Sequence, residues 1–133
     1  MLKAIVDTHA IIWYIFNEKR LSTTAGNFID MTIIQGDRLG LASISLVEIV
    51  YLMEKQRIPV TTLQQVTELC HDSTRGLDLI ELDEGVALTL ATIPREQVPD
   101  MPDRIIAATA VRLGIPVISR DGKIQLSTVP TIW

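Results

Sequence analysis

The stretch DMPDRIIAATAVRLGIPVISRDG, residues 100–122, contains the features that decide the fold. A largely apolar segment, Asp103–Leu113, predicts a helix, and Gly114 ends it because glycine readily adopts the left-handed conformation that terminates helices. The short run Pro116–Ser119 predicts a buried strand. A helix that leads directly into a strand is typical of an α/β protein with a parallel sheet.

The same alternation of strand and helix continues through the rest of the chain. Further strands are predicted over Lys3–Val6, Leu39–Ala42, Leu77–Leu82 and Val129–Trp133. Further helices are predicted over Ala10–Phe16, from Ser22–Thr24 to Gln35, from Ser43 or Ser45 to Glu54, from Thr61 or Thr62 to His71, and over Asp83–Thr92. We therefore predict an α/β fold in three layers, with helices on both faces of a short, mostly parallel sheet.

Length and composition indicate an ordinary globular protein. The chain has 133 residues, which suits a single domain over residues 1–133, and 47% of them are hydrophobic and 21% charged. Cys70 is the only cysteine, so no internal disulfide can form, which agrees with a cytoplasmic protein. The longest unbroken apolar run, Ala10–Phe16, is far shorter than the ~20 residues of a spanning helix, so we expect no membrane segment.

Four carboxylates are predicted to meet at one edge of this sheet. Asp7 directly follows the first strand, and Asp121 follows the strand of residues 116–119 after one intervening residue. Glu48 lies in the first turns of the helix after the second strand, and Asp103 lies at the start of the helix that leads back into the sheet. All four positions belong to the edge formed by the carboxyl ends of the strands, where α/β proteins place their chemistry. Asp100 is a possible fifth member.

Such a group of carboxylates favours a divalent cation. Close carboxylates repel one another, and without a cation at least one would become neutral. Oxygen ligands without thiolates favour Mg²⁺ or Mn²⁺ over Zn²⁺, in one or two ions. These ions can activate water and neutralise a phosphodiester. The net charge of −4 would otherwise argue against a nucleic acid partner, but bound cations would supply local positive charge.

Each acidic residue also has a simpler interpretation when it is considered alone. Asp7 could equally be the N-cap of the helix that follows it. Capping by Asp100, with Asp103 in the first helical turn, is the preferred interpretation of those two residues alone. Asp121 is most simply a turn residue. Glu48 is different, because its apolar neighbours leave little polar helix face for an ordinary solvated glutamate.

Five further residues are candidates for supporting roles. Thr8 and Ser45 could hydrogen-bond the carboxylates or a metal-bound water, although helix capping is favoured for Ser45. Thr109 could assist the site or lie on the plain surface of its helix. Arg104 and Arg120 could contact phosphate or pair with the neighbouring acids, and the sequence favours neither.

The motifs IVDTHAII, ISLVEIVYL and DMPDRIIAATAVRLGIPVISRDGKI together resemble those of PIN-domain ribonucleases, in particular the VapC-type toxins of toxin–antitoxin modules. This resemblance spans nearly the whole chain. It implies an α/β/α sandwich, a Mg²⁺- or Mn²⁺-dependent endoribonuclease that cuts transfer, ribosomal or messenger RNA, a homodimer, and a small antitoxin partner.

The acidic residues of the family correspond to Asp7, Glu48, Asp103 and Asp121 in this chain, as catalytic residues and metal ligands. The resemblance also assigns supporting positions to Thr8, Ser45 and Asp100. We predict that Asp7, Glu48 and Asp103 hold one cation, that Asp121 completes or supports a second site, and that a metal-activated water attacks the phosphorus.

The first helix is apolar on nearly every side. Residues 11–16, IIWYIF, are all apolar or aromatic, and packing against the core explains only one side of the helix. We expect the other side to meet a second copy of the chain or the antitoxin.

Other classes of protein fit the sequence less well. A dehalogenase-like phosphotransferase needs a second aspartate at the position of His9, and a receiver domain needs an acid at the position of Val6. The usual glycine-rich nucleotide-binding loops are absent. The remaining alternative is a non-catalytic RNA-binding or protein-interaction module on a PIN fold.

Overall fold

The computed structural model describes the whole chain, Met1–Trp133. The strands are β1 (Leu2–Val6), β2 (Arg38–Ala42), β3 (Leu77–Ile80), β4 (Val117–Ile118) and β5 (Thr131–Ile132). The helices are α1 (Thr8–Ile15), α2 (Thr23–Ile34), α3 (Ile44–Glu54), α4 (Thr62–His71), α5 (Glu84–Leu90), α6 (Met101–Leu113) and α7 (Gly122–Leu126). All neighbouring strands are parallel, in the order β3-β2-β1-β4-β5, which confirms the predicted α/β class. None of the helices combines the length and the apolar character needed to cross a membrane.

The sheet separates two hydrophobic clusters. Successive side chains of a strand point to opposite faces, so Ala4 and Val6 of β1 join one cluster while Ile5 joins the other. Val117 and Ile118 of β4 divide in the same way. Helices α1 to α4 contribute to the first cluster and α5 to α7 to the second. The protein therefore has the predicted three layers, with helices covering both faces of the sheet.

Two of the differences between the observed and the predicted helices have a clear physical reason. Helix α6 begins at Met101 rather than at Asp103, because Asp100 caps it and a proline is tolerated in a first helical turn. The five-residue helix α7 was not predicted at all. It begins where Asp121 Oδ1 accepts hydrogen bonds from the backbone N–H groups of Lys123 and Ile124. So short a helix has too little periodicity to be recognised from sequence.

Helix α1 is buried more completely than its sequence suggested. Ile11, Ile12 and Trp13 are all at most 7% exposed. The partly buried side chains of Tyr14, Ile15 and Phe16 pack against the same cluster. Because Tyr14, Ile15 and Phe16 remain partly exposed, contact of this side with a second copy of the chain or the antitoxin stays a prediction.

Candidate active site

A cavity of about 540 Å³ opens at the edge formed by the carboxyl ends of the strands. Its lining consists of Asp7, His9, Trp13, Arg20, Glu48, Asp100, Asp103, Arg120 and Asp121. The four predicted carboxylates and the possible fifth thus lie in one place, although they come from points far apart in the chain. The sheet order explains this convergence, because β1 lies between β2 and β4 and all three strands end at the same edge.

Three of these carboxylates form a tight group. Glu48, Asp100 and Asp103 each offer one oxygen, and these oxygens all lie within 4.8 Å of one another. Asp7 and Asp121 line the same cavity but stand outside this group. The grouping differs from the predicted one, which placed Asp7 rather than Asp100 beside Glu48 and Asp103. An all-oxygen donor set of this size suits a hard divalent cation.

The electrostatics of the group are dominated by burial and by the mutual repulsion of its carboxylates. Burial, followed by the charges of Asp100, Asp121, Glu48 and Asp7, raises the pKa of Asp103 to about 8. Burial also raises the pKa of Glu48. In the protein without a cation, Asp103 is therefore largely protonated at neutral pH, and a bound cation would favour the ionised form.

Asp7 is both a helix cap and a member of the site. The residue is only 6% exposed, and Oδ1 accepts a 2.8 Å hydrogen bond from the backbone N–H of Ala10. Burial raises the pKa of Asp7, and this hydrogen bond acts in the opposite direction. The two interpretations offered by the sequence are therefore compatible, since the cap fixes the carboxylate that faces the cavity.

Glu48 is oriented by a chain of two hydroxyl groups, of which only that of Thr8 contacts the carboxylate. Thr8 Oγ1 donates to Glu48 Oε1 and lies 2.9 Å from Ser45 Oγ. A hydroxyl has one proton, so the Ser45 hydroxyl donates to Thr8 while Thr8 donates to the carboxylate. Helix capping by Ser45 is wrong, because Ser45 is fully buried inside α3. Ser43 occupies the cap position instead, and its hydroxyl accepts a hydrogen bond from Leu82 N.

Two other candidates contact the backbone rather than the cavity. Arg104 donates to the carbonyl oxygens of Ile93 and Leu90 at 2.9–3.2 Å, so of the two alternatives offered for it, pairing with the neighbouring acids is not what the structure shows. Thr109 is buried and donates a 2.8 Å hydrogen bond to Ile105 O, so the alternative of a plain surface position does not apply.

Sequence reasoning missed part of the cavity wall. The Arg20 and Arg120 guanidinium carbons lie 5.0 and 5.8 Å from the centre of the Trp13 ring. Arg120 is a candidate from the sequence, whereas the sequence places Trp13 only within the apolar run of residues 11–16. Arg20 lies in the loop between α1 and α2, where no motif marks it. Only the folded chain brings these residues to the carboxylates.

The comparison with known families defines the class of protein to which this fold belongs. Residues 4–127 match the model of the PIN domain family, and the chain belongs to that family. It is also 31% identical to Ribonuclease VapC22 of Mycobacterium tuberculosis, an alignment that covers the whole of both chains.

Solved structures agree on the fold. The chain resembles VapBC2 from Rickettsia felis bound to a promoter DNA fragment, with a TM-score of 0.72, 13% identity, and coverage of 98% of this chain and 97% of that one. It also resembles a toxin–antitoxin complex from Klebsiella pneumoniae, with a TM-score of 0.66, 17% identity, and coverage of 98% and 97%. At these identities the likeness concerns the α/β/α architecture.

Proposed function

We propose that this protein is a metal-dependent endoribonuclease, the toxin of a toxin–antitoxin pair, which hydrolyses phosphodiester bonds in RNA. The observation that carries the proposal is the group of Glu48, Asp100 and Asp103, with Asp7 and Asp121 lining the same cavity. The full-length similarity to Ribonuclease VapC22 supports it.

Mg²⁺ or Mn²⁺, as one or two ions, fits the donor set best. The ligands are all carboxylate oxygens, no thiolate is near, and the pKa of Asp103 indicates a shortage of positive charge. Glu48, Asp100 and Asp103 would hold one ion, and Asp7 and Asp121 would complete or support the site. Such an ion supplies Lewis acidity, which lowers the pKa of water and neutralises charge on phosphate.

The surrounding residues preorganise these ligands. Thr8 and Ser45 fix the orientation of Glu48, and the N–H of Ala10 fixes Asp7. Ligands held in this way need little rearrangement when a cation and a phosphodiester enter, which is what efficient charge stabilisation requires.

A homodimer and a small antitoxin complete the proposal. Val47 and Tyr51 of α3 and Met101 of α6 are 49–62% exposed and line one apolar groove beside the site. Exposed apolar surface of this kind suits a protein partner. Light scattering of the purified chain should report a dimer, and a stable monomer would contradict this part of the proposal.

The nuclease activity is tested with purified protein and RNA. Single-stranded and stem-loop oligoribonucleotides are incubated with Mn²⁺, Mg²⁺ or EDTA, and the products are resolved on gels. We expect cleavage only with a cation, and its loss in Asp7→Asn, Asp103→Asn and Glu48→Gln. Glu54→Gln is the matched control, because Glu54 is exposed at the far end of the same helix as Glu48.

Two outcomes would contradict the assignment. Cation-dependent cleavage that survives in Asp7→Asn or Asp103→Asn would place the catalytic centre elsewhere. RNA binding without cleavage under any cation would favour the non-catalytic module. Inducible expression of the unsubstituted chain and Asp7→Asn, with mapping of new RNA 5′ ends, then identifies the target.

A further inference from the structure

Trp13 and two arginines form an arginine–tryptophan cluster beside the carboxylates. Trp13 is 7% exposed, and Arg20 and Arg120 both place their guanidinium groups over its ring system. Trp133 and His9 pack against the same tryptophan, with ring centres 5.9 and 5.7 Å away. Trp13 is thus a fixed support for two cationic side chains that are themselves exposed.

The cluster is not used to neutralise the acidic site. The chain contains ion pairs of Arg20 with Glu18, Arg38 with Asp78, and Asp37 with the N-terminus and Lys3, and none involves a site carboxylate. Arg120 forms no ion pair at all. Its charge next to five carboxylates therefore remains available to an anion from outside.

Contact with the ring does not use the hydrogen-bond donors of a guanidinium group. Arg120 forms no ion pair, so its donors remain available, whereas Arg20 donates through Nε and Nη2 to Glu18 Oε1 and keeps Nη1 without a partner. A planar fork of donors matches the oxygens of phosphate.

The cluster also links two cavities. A second cavity of about 460 Å³ shares His9, Trp13 and Arg20 with the acidic one, and its wall includes Arg57. This second cavity holds one carboxylate, Glu18, beside Arg20 and Arg57, so the surface that leads away from the site on this side is less acidic than the site itself. A strand with one phosphate at the carboxylates would carry its neighbouring phosphates along this surface.

We propose that the arginine–tryptophan cluster is a phosphate clamp, in which Arg20 and Arg120 bind the backbone phosphates that flank the scissile one. This inference rests on the proposed ribonuclease function and adds positioning residues to it. A role of Trp13 in stacking on bases is disfavoured, because the ring is buried and the two arginines cover it.

The test measures binding separately from cleavage. In an Asp103→Asn background with EDTA, fluorescence anisotropy gives the Kd of a labelled single-stranded oligoribonucleotide at several salt concentrations. The variants are Arg20→Gln, Arg120→Gln and their combination. Arg112→Gln is the matched control, since Arg112 lies nine residues beyond Asp103 on α6, about 13 Å along the axis, and lines neither cavity.

We expect each single substitution to weaken binding by about fivefold and the double substitution by more. Each lost phosphate contact should lower the salt slope by about 0.7, as for single strands, so the double variant should lose about 1.4. Arg112→Gln should leave the slope unchanged. Thermal unfolding of every variant checks that the fold is intact.

The outcomes separate this inference from the proposed function. An unchanged salt slope in the double variant, or no RNA binding by the parent, overturns the clamp. Arginine-dependent binding supports the clamp even if the chain with Asp103 intact fails to cleave RNA with Mn²⁺, a result that would overturn only the nuclease. If the chain with Asp103 intact cleaves RNA equally well with and without both arginine substitutions, the result supports the nuclease and overturns the clamp.

Discussion

At the scale of single residues, three of the site aspartates have two roles at once. Asp7, Asp100 and Asp121 each accept a hydrogen bond from a backbone N–H at the start of a helix. A cap needs one carboxylate oxygen, so the other remains available to a ligand. Capping and cation binding are therefore parts of one arrangement, and the cap restricts where the carboxylate points.

Asp103 should destabilise the protein when no cation is bound. Its pKa is raised from 3.8 to about 8, so folding takes up a proton between these values and the free energy of unfolding falls as pH rises through this range. Asp103→Asn should therefore stabilise the cation-free protein, by roughly 1–2 kcal/mol at pH 8, a figure reduced for the partial exposure of the group.

Thermal unfolding is measured in EDTA from about pH 4 to about pH 8, a range that runs between the ordinary and the raised pKa of Asp103. The gain in Asp103→Asn should grow with pH and should vanish near the acidic end. A gain that is independent of pH would mean that Asp103 is ionised in the folded protein throughout.

Thr8 should act on cation affinity through Glu48. Thr8→Val keeps the shape of the side chain but removes the hydroxyl between Ser45 and the carboxylate. We expect Mn²⁺ affinity to fall about tenfold, because the ligand loses its orientation. Calorimetric titration measures this, and Thr8→Ser, which keeps the hydroxyl, should retain most of the affinity. Equal Mn²⁺ affinities of Thr8→Val and Thr8→Ser would mean that the Thr8 hydroxyl does not orient the ligand.

At the scale of elements, the position of α6 decides the geometry of the site. Asp100 caps this helix and Asp103 lies in its first turn, and its N-terminal end is tied to α5 through Arg104. Arg104 donates to Leu90 O, at the last residue of α5, and to Ile93 O in the loop that follows. Arg104 thus holds two helices together, a role that neither alternative from the sequence included.

Arg104→Gln should therefore affect stability and leave RNA binding largely unchanged. The loss of two or three charge-assisted hydrogen bonds should cost about 1–3 kcal/mol in the free energy of unfolding. Urea denaturation measures the loss, with Arg95→Gln as an exposed control in the preceding loop. If Arg104→Gln has normal stability but binds RNA poorly, Arg104 contacts RNA rather than holding the two helices together.

At the scale of the whole molecule, the sheet order brings the site together. The central strand β1 ends at Asp7, while β2 leads to Glu48 and β4 to Asp121 on either side of it. The two hydrophobic clusters pack against these strands from both faces. Their packing therefore offsets the repulsion between the carboxylates.

A bound cation should relieve this repulsion and stabilise the molecule. At a Mn²⁺ concentration of about 100 times Kd, the expected gain is about 2.7 kcal/mol, or roughly 10 °C in Tm for a domain of this size. The gain should increase as pH rises toward 8, because Asp103 must lose its proton to bind the cation. Calorimetric scans with and without Mn²⁺ measure it, and Asp103→Asn should show little gain at any pH.

Much of this architecture follows from patterns that are local in the sequence. The run of residues 100–122 predicts a helix, a glycine stop and a strand, and the structure confirms each of them. Parallel strands joined by helices must end at a common edge, so the meeting of Asp7, Glu48, Asp103 and Asp121 could also be predicted.

Other features could not be read from any local pattern. That Asp100 rather than Asp7 joins Glu48 and Asp103 depends on how α6 is placed against α3. The burial of Ser45 and the pairing of Arg104 with carbonyl groups also depend on the packing of helices distant in sequence.

The sequence by itself determined the fold class, the edge of the sheet that carries the site and the acidic residues there, because periodicity and strand direction are set locally. The tertiary structure alone decided which oxygens come within reach of one cation and which arginines come to lie beside Trp13. Those outcomes depend on the rotation and placement of each helix, and long-range packing of side chains sets both.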